Sequence, residues 1–164
     1  MKTMNELFLA TLKDVYYAER QLLKALPKMA RAAQDPALKQ AFTEHRGETE
    51  TQVERLQQVF EILGKRAQGQ TCEAIQGLIA EADELVEDFP EAGPVRDAGL
   101  IATGQAVEHY EMARYGALAA WASAMKQAEI ATLLQDTLAE EKTADQKLGT
   151  LAAETVNPEA MQAA

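Results

Sequence analysis

The sequence is short of cysteine, of basic charge, of aromatics and of unbroken apolar runs, and each shortage excludes something. A single cysteine, Cys72, cannot close an internal disulfide or build a thiolate metal site alone. The 16 Lys and Arg residues are outnumbered by 26 Asp and Glu, a formal charge of −10. Such a chain has no electrostatic footprint for phosphate backbones or anionic lipid. The opening stretch MKTMNELFLATLKDVYYAER is interrupted by Glu6, Lys13 and Asp14, so it reads as neither a signal peptide nor a membrane span. Only 5% of residues are aromatic, but 47% are hydrophobic and 26% charged, which is globular rather than disordered. The expectation is a soluble cytoplasmic protein with no nucleic-acid or membrane partner, a single domain over residues 1–164.

What is present is helical periodicity almost throughout, with no stretch alternating at period two long enough for a strand. A first helix is predicted from about Met4 to Ala33, with Phe8, Leu12, Val15, Leu22 and Leu26 on one stripe. Pro27 kinks it rather than stopping it. Asp35-Pro36 supplies an N-cap and a proline at the first helical position, starting a second helix that runs to Leu63 and closes at Gly64. Thr71 caps a shorter helix ending near Asp88, and the breaker cluster Phe89–Pro94 follows. Two more long helices run from about Val95 to Ala122 and from Lys126 to Glu154, with Asn157-Pro158 ending the pattern before a short tail. Two hairpins joined by one long connection make an all-α four-helix bundle with a single crossover carrying a short extra helix.

The apolar stripes are interrupted by acid. The stripe of the first helix carries Glu19. The second helix carries His45, Glu48 and Gln52, the third long helix Glu108 and Glu111, the fourth Glu141 and Asp145. Counted from the turns near residues 34 and 125, Glu19 with Glu48 and Glu108 with Glu141 are level to within roughly 2 Å. Parallel second and third long helices would bring all of them into one layer. Six buried carboxylates cannot stay ionised without compensation, because each loses its hydration and repels its neighbours. Two divalent cations would neutralise four charges and accept oxygen and imidazole ligands, the donor set of di-iron or di-manganese bundle sites.

The segments LKDVYYAERQLLKALPKM at 12–29, HRGETETQVERLQQVFEILG at 45–64, AVEHYEMARYGAL at 106–118 and TLAEEKTADQKLGTLA at 137–152 resemble the ferritin-like superfamily. So do CEAIQGLIAEADEL at 72–85 and VNPEA at 156–160, and the nearest resemblance is to the bacterial YciE/YciF family. The resemblance implies a ferritin-like bundle with a dinuclear metal centre, a homodimer and a role in bacterial stress, with iron, oxygen or peroxide as its reactants. The chain departs from the usual Glu-x-x-His pattern: the second helix reads His45-x-x-Glu48, and the fourth reads Glu141-x-x-x-Asp145 with no histidine. The more oxygen-rich donor set should shift metal preference and redox potential.

The metal-ligand candidates are therefore Glu19, His45, Glu48, Glu108, Glu111, Glu141 and Asp145. Glu48 and Glu141 are the candidate bridges and Glu19, Glu108 and His45 the terminal ligands, for two divalent ions with iron preferred and manganese the alternative. The competing reading is a metal-stabilised bundle acting as an interaction protein. Gln52 is expected beside the ligands, and His109, Glu44, Glu50, Glu54 and Glu140 on the solvated surface. Tyr16, Tyr17, Tyr110 and Tyr115 are assigned to packing, and Cys72 has no catalytic role. Gly47, Gly104 and Gly116 suggest close helix approach near the site.

Overall fold

The computed structural model describes residues 1–163; Ala164, the last residue of the expected domain span, lies outside them. Four long helices, α1 (Met4–Ala32), α2 (Pro36–Ile62), α4 (Pro94–Ala124) and α5 (Ala128–Leu151), are joined by a short α3 (Glu73–Asp88) in the crossover. No strand occurs among the described residues. Thr3 and Glu6 form a reciprocal capping box at the start of α1, and the helix continues through Pro27. Asp35 caps α2, its carboxylate accepting from the Leu38 backbone N–H at 2.9 Å, with Pro36 in the first turn.

Two expected boundaries are corrected. Cys72, not Thr71, is the N-cap of α3, and its side chain caps nothing because it turns into the apolar interior. Asn157-Pro158 does not end the last helix. After Leu151 the backbone passes through a π-helical turn, Ala152–Val156, into α6, Asn157–Gln162. The wider π turn suits a proline, which has no N–H for the α-helical ladder and crowds the carbonyl four residues back. It also seats Val156 in the core.

The core consists of two apolar clusters. One gathers Leu22, Leu26, Phe42, Leu100, Ile101 and Leu148; α3 adds Ile75 to it. The other gathers Phe8, Leu12, Val15, Leu56, Phe60, Leu118, Ile130 and Leu134. The chain passes from the second cluster to the first along α1 and α5, and from the first to the second along α2 and α4. Helices α2 and α4 are therefore parallel and both hairpins antiparallel, as a full-length crossover requires. Between the clusters every long helix turns polar side chains inward: Glu19, then His45, Thr49 and Gln52, then Glu108 and Glu111, then Thr137 and Glu141.

Two residues at the start of α4 fix the first hairpin against it. The buried Asp97 carboxylate accepts from the backbone N–H groups of Gln34 at 2.8 Å and Asp35 at 2.7 Å. Arg96 donates to the carbonyls of Ala32 at 2.6 Å and Pro90 at 2.9 Å. Both satisfy backbone groups at the turn between α1 and α2, and Arg96 also one in the loop before α4. Gly69 in the crossover packs directly on α1, where an added Cβ would sit 3.1 Å from Tyr17 Cβ, and the neighbouring Gln70 N–H bonds the Lys13 carbonyl.

Of the three helix-interior glycines expected to mark close approach, only Gly104 does so. A Cβ there would lie 3.1 Å from Leu148 Cδ1 and 3.2 Å from Phe42 Cε1, whereas Gly47 and Gly116 face open space. The close approach that the sequence conceals is at Gly99, where Leu85 of α3 lies against the α4 backbone.

Candidate metal centre

The buried positions of α2 run Leu38, Phe42, His45, Thr49, Gln52, Leu56, a strict alternation of four- and three-residue steps. That line points His45 at the bundle axis. From α4 come Glu108 and Glu111, one turn apart on the same face, and from α5 comes Glu141. A ligand atom from each of His45, Glu108, Glu111 and Glu141 lies within 4.8 Å of the others, and all four are buried. His45 Nε2 stands 3.3 Å from Glu108 Oε1 and 3.6 Å from Glu141 Oε2. Glu19, wholly buried on α1, joins this layer beside Glu111 and accepts a short hydrogen bond from Tyr115 Oη.

The remaining two candidates stand at its margins. Glu48 has a side chain 43% exposed, and its Oε2 lies 3.1 Å from His45 Nδ1, holding the ring with Nε2 toward the carboxylates. It sits about 60° around α2 from His45, off the buried line. Asp145, 22% exposed, accepts from Gln105 Nε2 at 3.0 Å and lies 3.3 Å from His109 Nε2, outside the four-group cluster. Within the layer, both oxygens of Glu111 and Glu141, one each of Glu19 and Glu108, and His45 Nε2 are buried without a hydrogen-bond partner among the described residues.

Burial dominates the protonation of the layer. It pushes Glu19 up to about 7 despite the opposing Tyr115 hydrogen bond and the nearby His45 charge. Burial, joined by the negative charges of their neighbours, raises Glu111 and Glu141 well above the usual carboxylate range. Glu108 is raised by burial against the attraction of His45. For His45 burial pulls down, but the Glu48 hydrogen bond and the charges of Glu108, Glu19 and Glu48 carry it upward overall. In the metal-free chain protons thus take the place of cations in the layer. Four carboxylates and one imidazole, short of donors and rich in free oxygens, could hold a divalent metal ion of the oxygen-preferring kind.

Two residues depart from the expectation drawn from the sequence. Tyr115 is not mere packing, since its hydroxyl holds Glu19. Glu140 is not free surface: Arg55 grips it with two 2.6 Å bonds, and Gln52 Nε2 donates to it at 3.1 Å. This anchors Gln52 in the bundle with its buried Oε1 unpartnered. Arg55 lies three residues after Gln52, beside the inward stripe, and that i,i+3 spacing is the signal the sequence offers. Cys72 is buried with its Sγ 3.0 Å from Tyr110 Oη. His109, Glu44, Glu50 and Glu54 are exposed, as expected.

The family described as a domain of unknown function, DUF892, matches residues 3–161. Protein YciF of Escherichia coli K12 is 47% identical over 161 residues, 98% of this chain and 96% of that protein. The crystal structure of the E. coli stress protein YciF superposes with a TM-score of 0.90, covering 96% of this chain and 99% of that one. YcfI from Rhodopseudomonas palustris, 49% identical, superposes with a TM-score of 0.87, covering 91% of this chain and 94% of its own. No helix among the described residues is long and apolar enough to cross a membrane. With the family match spanning nearly all of the sequence and a relative 47% identical along its length, the chain belongs to the YciE/YciF family, DUF892.

Proposed function

We propose that the polar layer holds two divalent metal ions, iron in preference to manganese, and that the loaded protein oxidises Fe(II) or reduces oxygen or peroxide under stress. The observation that carries this reading is the set of six buried carboxylate oxygens and one imidazole nitrogen without hydrogen-bond partners. An apolar or self-paired core leaves no such set, because each orphan costs about 1–3 kcal/mol. The E. coli relative is called a stress protein, which supports the physiological setting. A cytoplasmic homodimer is proposed with it, on the family resemblance.

Bound iron would supply the electrons for reducing the oxidant. The chain does the rest. Glu111 and Glu141, each with both oxygens free, would hold the ions together with Glu19, Glu108 and His45. Tyr115 favours the ionised form of Glu19, Glu48 orients the His45 ring, and the two flanking apolar clusters exclude water. The test is anaerobic loading with Fe(II), metal analysis, and then exposure to oxygen. Two bound irons and rising ferric absorbance are expected, with loading abolished in Glu19→Ala and Glu141→Ala. A chain that takes up no metal refutes the site. A second reading, a metal-stabilised structural bundle, is favoured by the description of the Rhodopseudomonas relative as a candidate structural protein. It predicts full loading with no loss of Fe(II) on oxygenation.

A further inference from the structure

A cleft between α2 and α5 leads from the surface to the polar layer. Its floor is His45 and Glu108, its walls include the small side chains Ala41 and Ala144, and its rim carries Glu48 and Lys147. Two atoms of its floor residues, His45 Nε2 and Glu108 Oε2, are buried without a hydrogen-bond partner among the described residues. We propose that this cleft is the entry path of divalent cations into the site, with Glu48 the first carboxylate they meet and Lys147 an electrostatic gate. The inference rests on the metal-site reading above and adds to it a route and the residues that control it.

Width decides what can pass. The enclosed space is about 20 Å³, room for one water-sized particle. A fully hydrated ion does not fit, so it must exchange water for protein oxygens on the way in. Carboxylates stand where that exchange is needed: Glu48, 43% exposed at the rim with one oxygen engaged by His45 Nδ1, and Glu108, buried at the floor. An organic substrate is excluded by the same dimension. Ala41 and Ala144 make the gap, and a larger side chain at either position would close it.

Lys147 is the only lysine or arginine among the lining residues of this cleft. Its Nζ is held 2.9 Å from Glu44 Oε2, across the groove on α2, with both side chains about half exposed. Exposed pairs of this kind are weak and readily exchanged. In the closed arrangement the ammonium repels an approaching cation. Displaced toward solvent, it leaves Glu44 and Glu48 as an acidic mouth.

The experiment is stopped-flow association of Co(II) with metal-stripped protein, followed by visible absorbance and checked by final stoichiometry. Lys147→Gln, a surface change that leaves the layer intact, should speed loading about threefold at low salt and flatten its salt dependence. Ala144→Leu should slow loading on the order of tenfold by filling the gap, with unchanged final stoichiometry and with helix content checked by circular dichroism. Wild-type rates in both variants, at full stoichiometry, would overturn the entry path while leaving the metal site standing. Loss of stoichiometry in Ala144→Leu with wild-type rates in Lys147→Gln would also overturn it, since the cleft would then be part of the site's own packing. If wild-type protein takes up no Co(II), the entry path falls together with the site beneath it.

Discussion

Tyr115 of α4 donates its phenolic hydrogen to Glu19 of α1, a contact between two wholly buried groups 96 residues apart. It is the bond that carries the first helix into the polar layer, and it favours the ionised form of Glu19 against the effect of burial. Tyr115→Phe keeps the ring and removes the donor. Metal affinity is expected to fall about 10–100-fold, and metal-free stability by roughly 1–3 kcal/mol. Competitive metal titration and urea unfolding measure the two; unchanged affinity would remove Tyr115 from the site.

Glu111 sets stability against function. Its carboxyl is buried, both oxygens lack partners, and its neighbours Glu19, Glu141 and Glu108 are acidic. Glu111→Gln keeps the shape and abolishes the charge. At about pH 8 the metal-free variant should melt several degrees above wild type, while metal stoichiometry drops below that of the wild type. A variant that gains no stability yet loads fully would show that Glu111 is neither a burden nor a ligand.

The same burial gives a pH dependence with a definite sign. Glu19 is raised from 4.5 to about 7, and Glu111 and Glu141 higher, so the native state retains protons that the unfolded chain has released. The contribution of these three groups to the stability of the metal-free protein is therefore full below about pH 4.5 and falls as pH rises above it, through 7 and beyond. His45 acts in the same sense, its contribution present below 6.5 and lost as pH passes its raised value. Glu48, lowered by the His45 hydrogen bond, acts oppositely, losing its contribution only as pH falls below the ordinary carboxylate range. Melting of the stripped protein should drop on the order of 10 °C between about pH 5 and pH 8. Metal should abolish that drop, and metal affinity should rise with pH because binding expels the protons. Calorimetry with and without chelator reads both.

Gly47 and Gly116 lie within helices facing open space, with nothing for a methyl to strike. Alanine at either should stabilise the protein by roughly 0.5–1 kcal/mol. At Gly104 a methyl meets Leu148 and Phe42 at 3.1 and 3.2 Å. That substitution should gain nothing or lose stability, because two core side chains must shift. Urea midpoints separate the cases, and equal gains at all three would mean the core around Gly104 is looser than its contacts indicate.

Much of this was legible in the sequence because helices announce themselves locally. Apolar spacing on α1, the Asp35-Pro36 start and the breaker cluster at Phe89–Pro94 each concern a few neighbouring residues. The polar layer was legible for the same reason: an acidic residue on an apolar stripe stands out. Arg96 and Asp97 were not, since their partners are backbone groups at Ala32, Gln34 and Asp35, more than 60 residues away. Nothing local distinguishes them from solvated charges at a helix start.

The sequence by itself determined the four long helices, the two hairpins, the parallel run of α2 and α4, and the presence of buried acid at mid-bundle. Local hydrogen bonding and a period of 3.6 residues suffice for that. Only the tertiary structure decided which acids meet. Glu48 and Glu111 look alike on a helical stripe, yet Glu48 stands at the rim holding His45, and Glu111 stands at the centre facing Glu19. Each residue turns the helix by about 100°, and the rotation of a whole helix about its axis is set by the partners it packs on. That single angle, absent from any one helix's sequence, separates a group of the inner layer from one at its entrance.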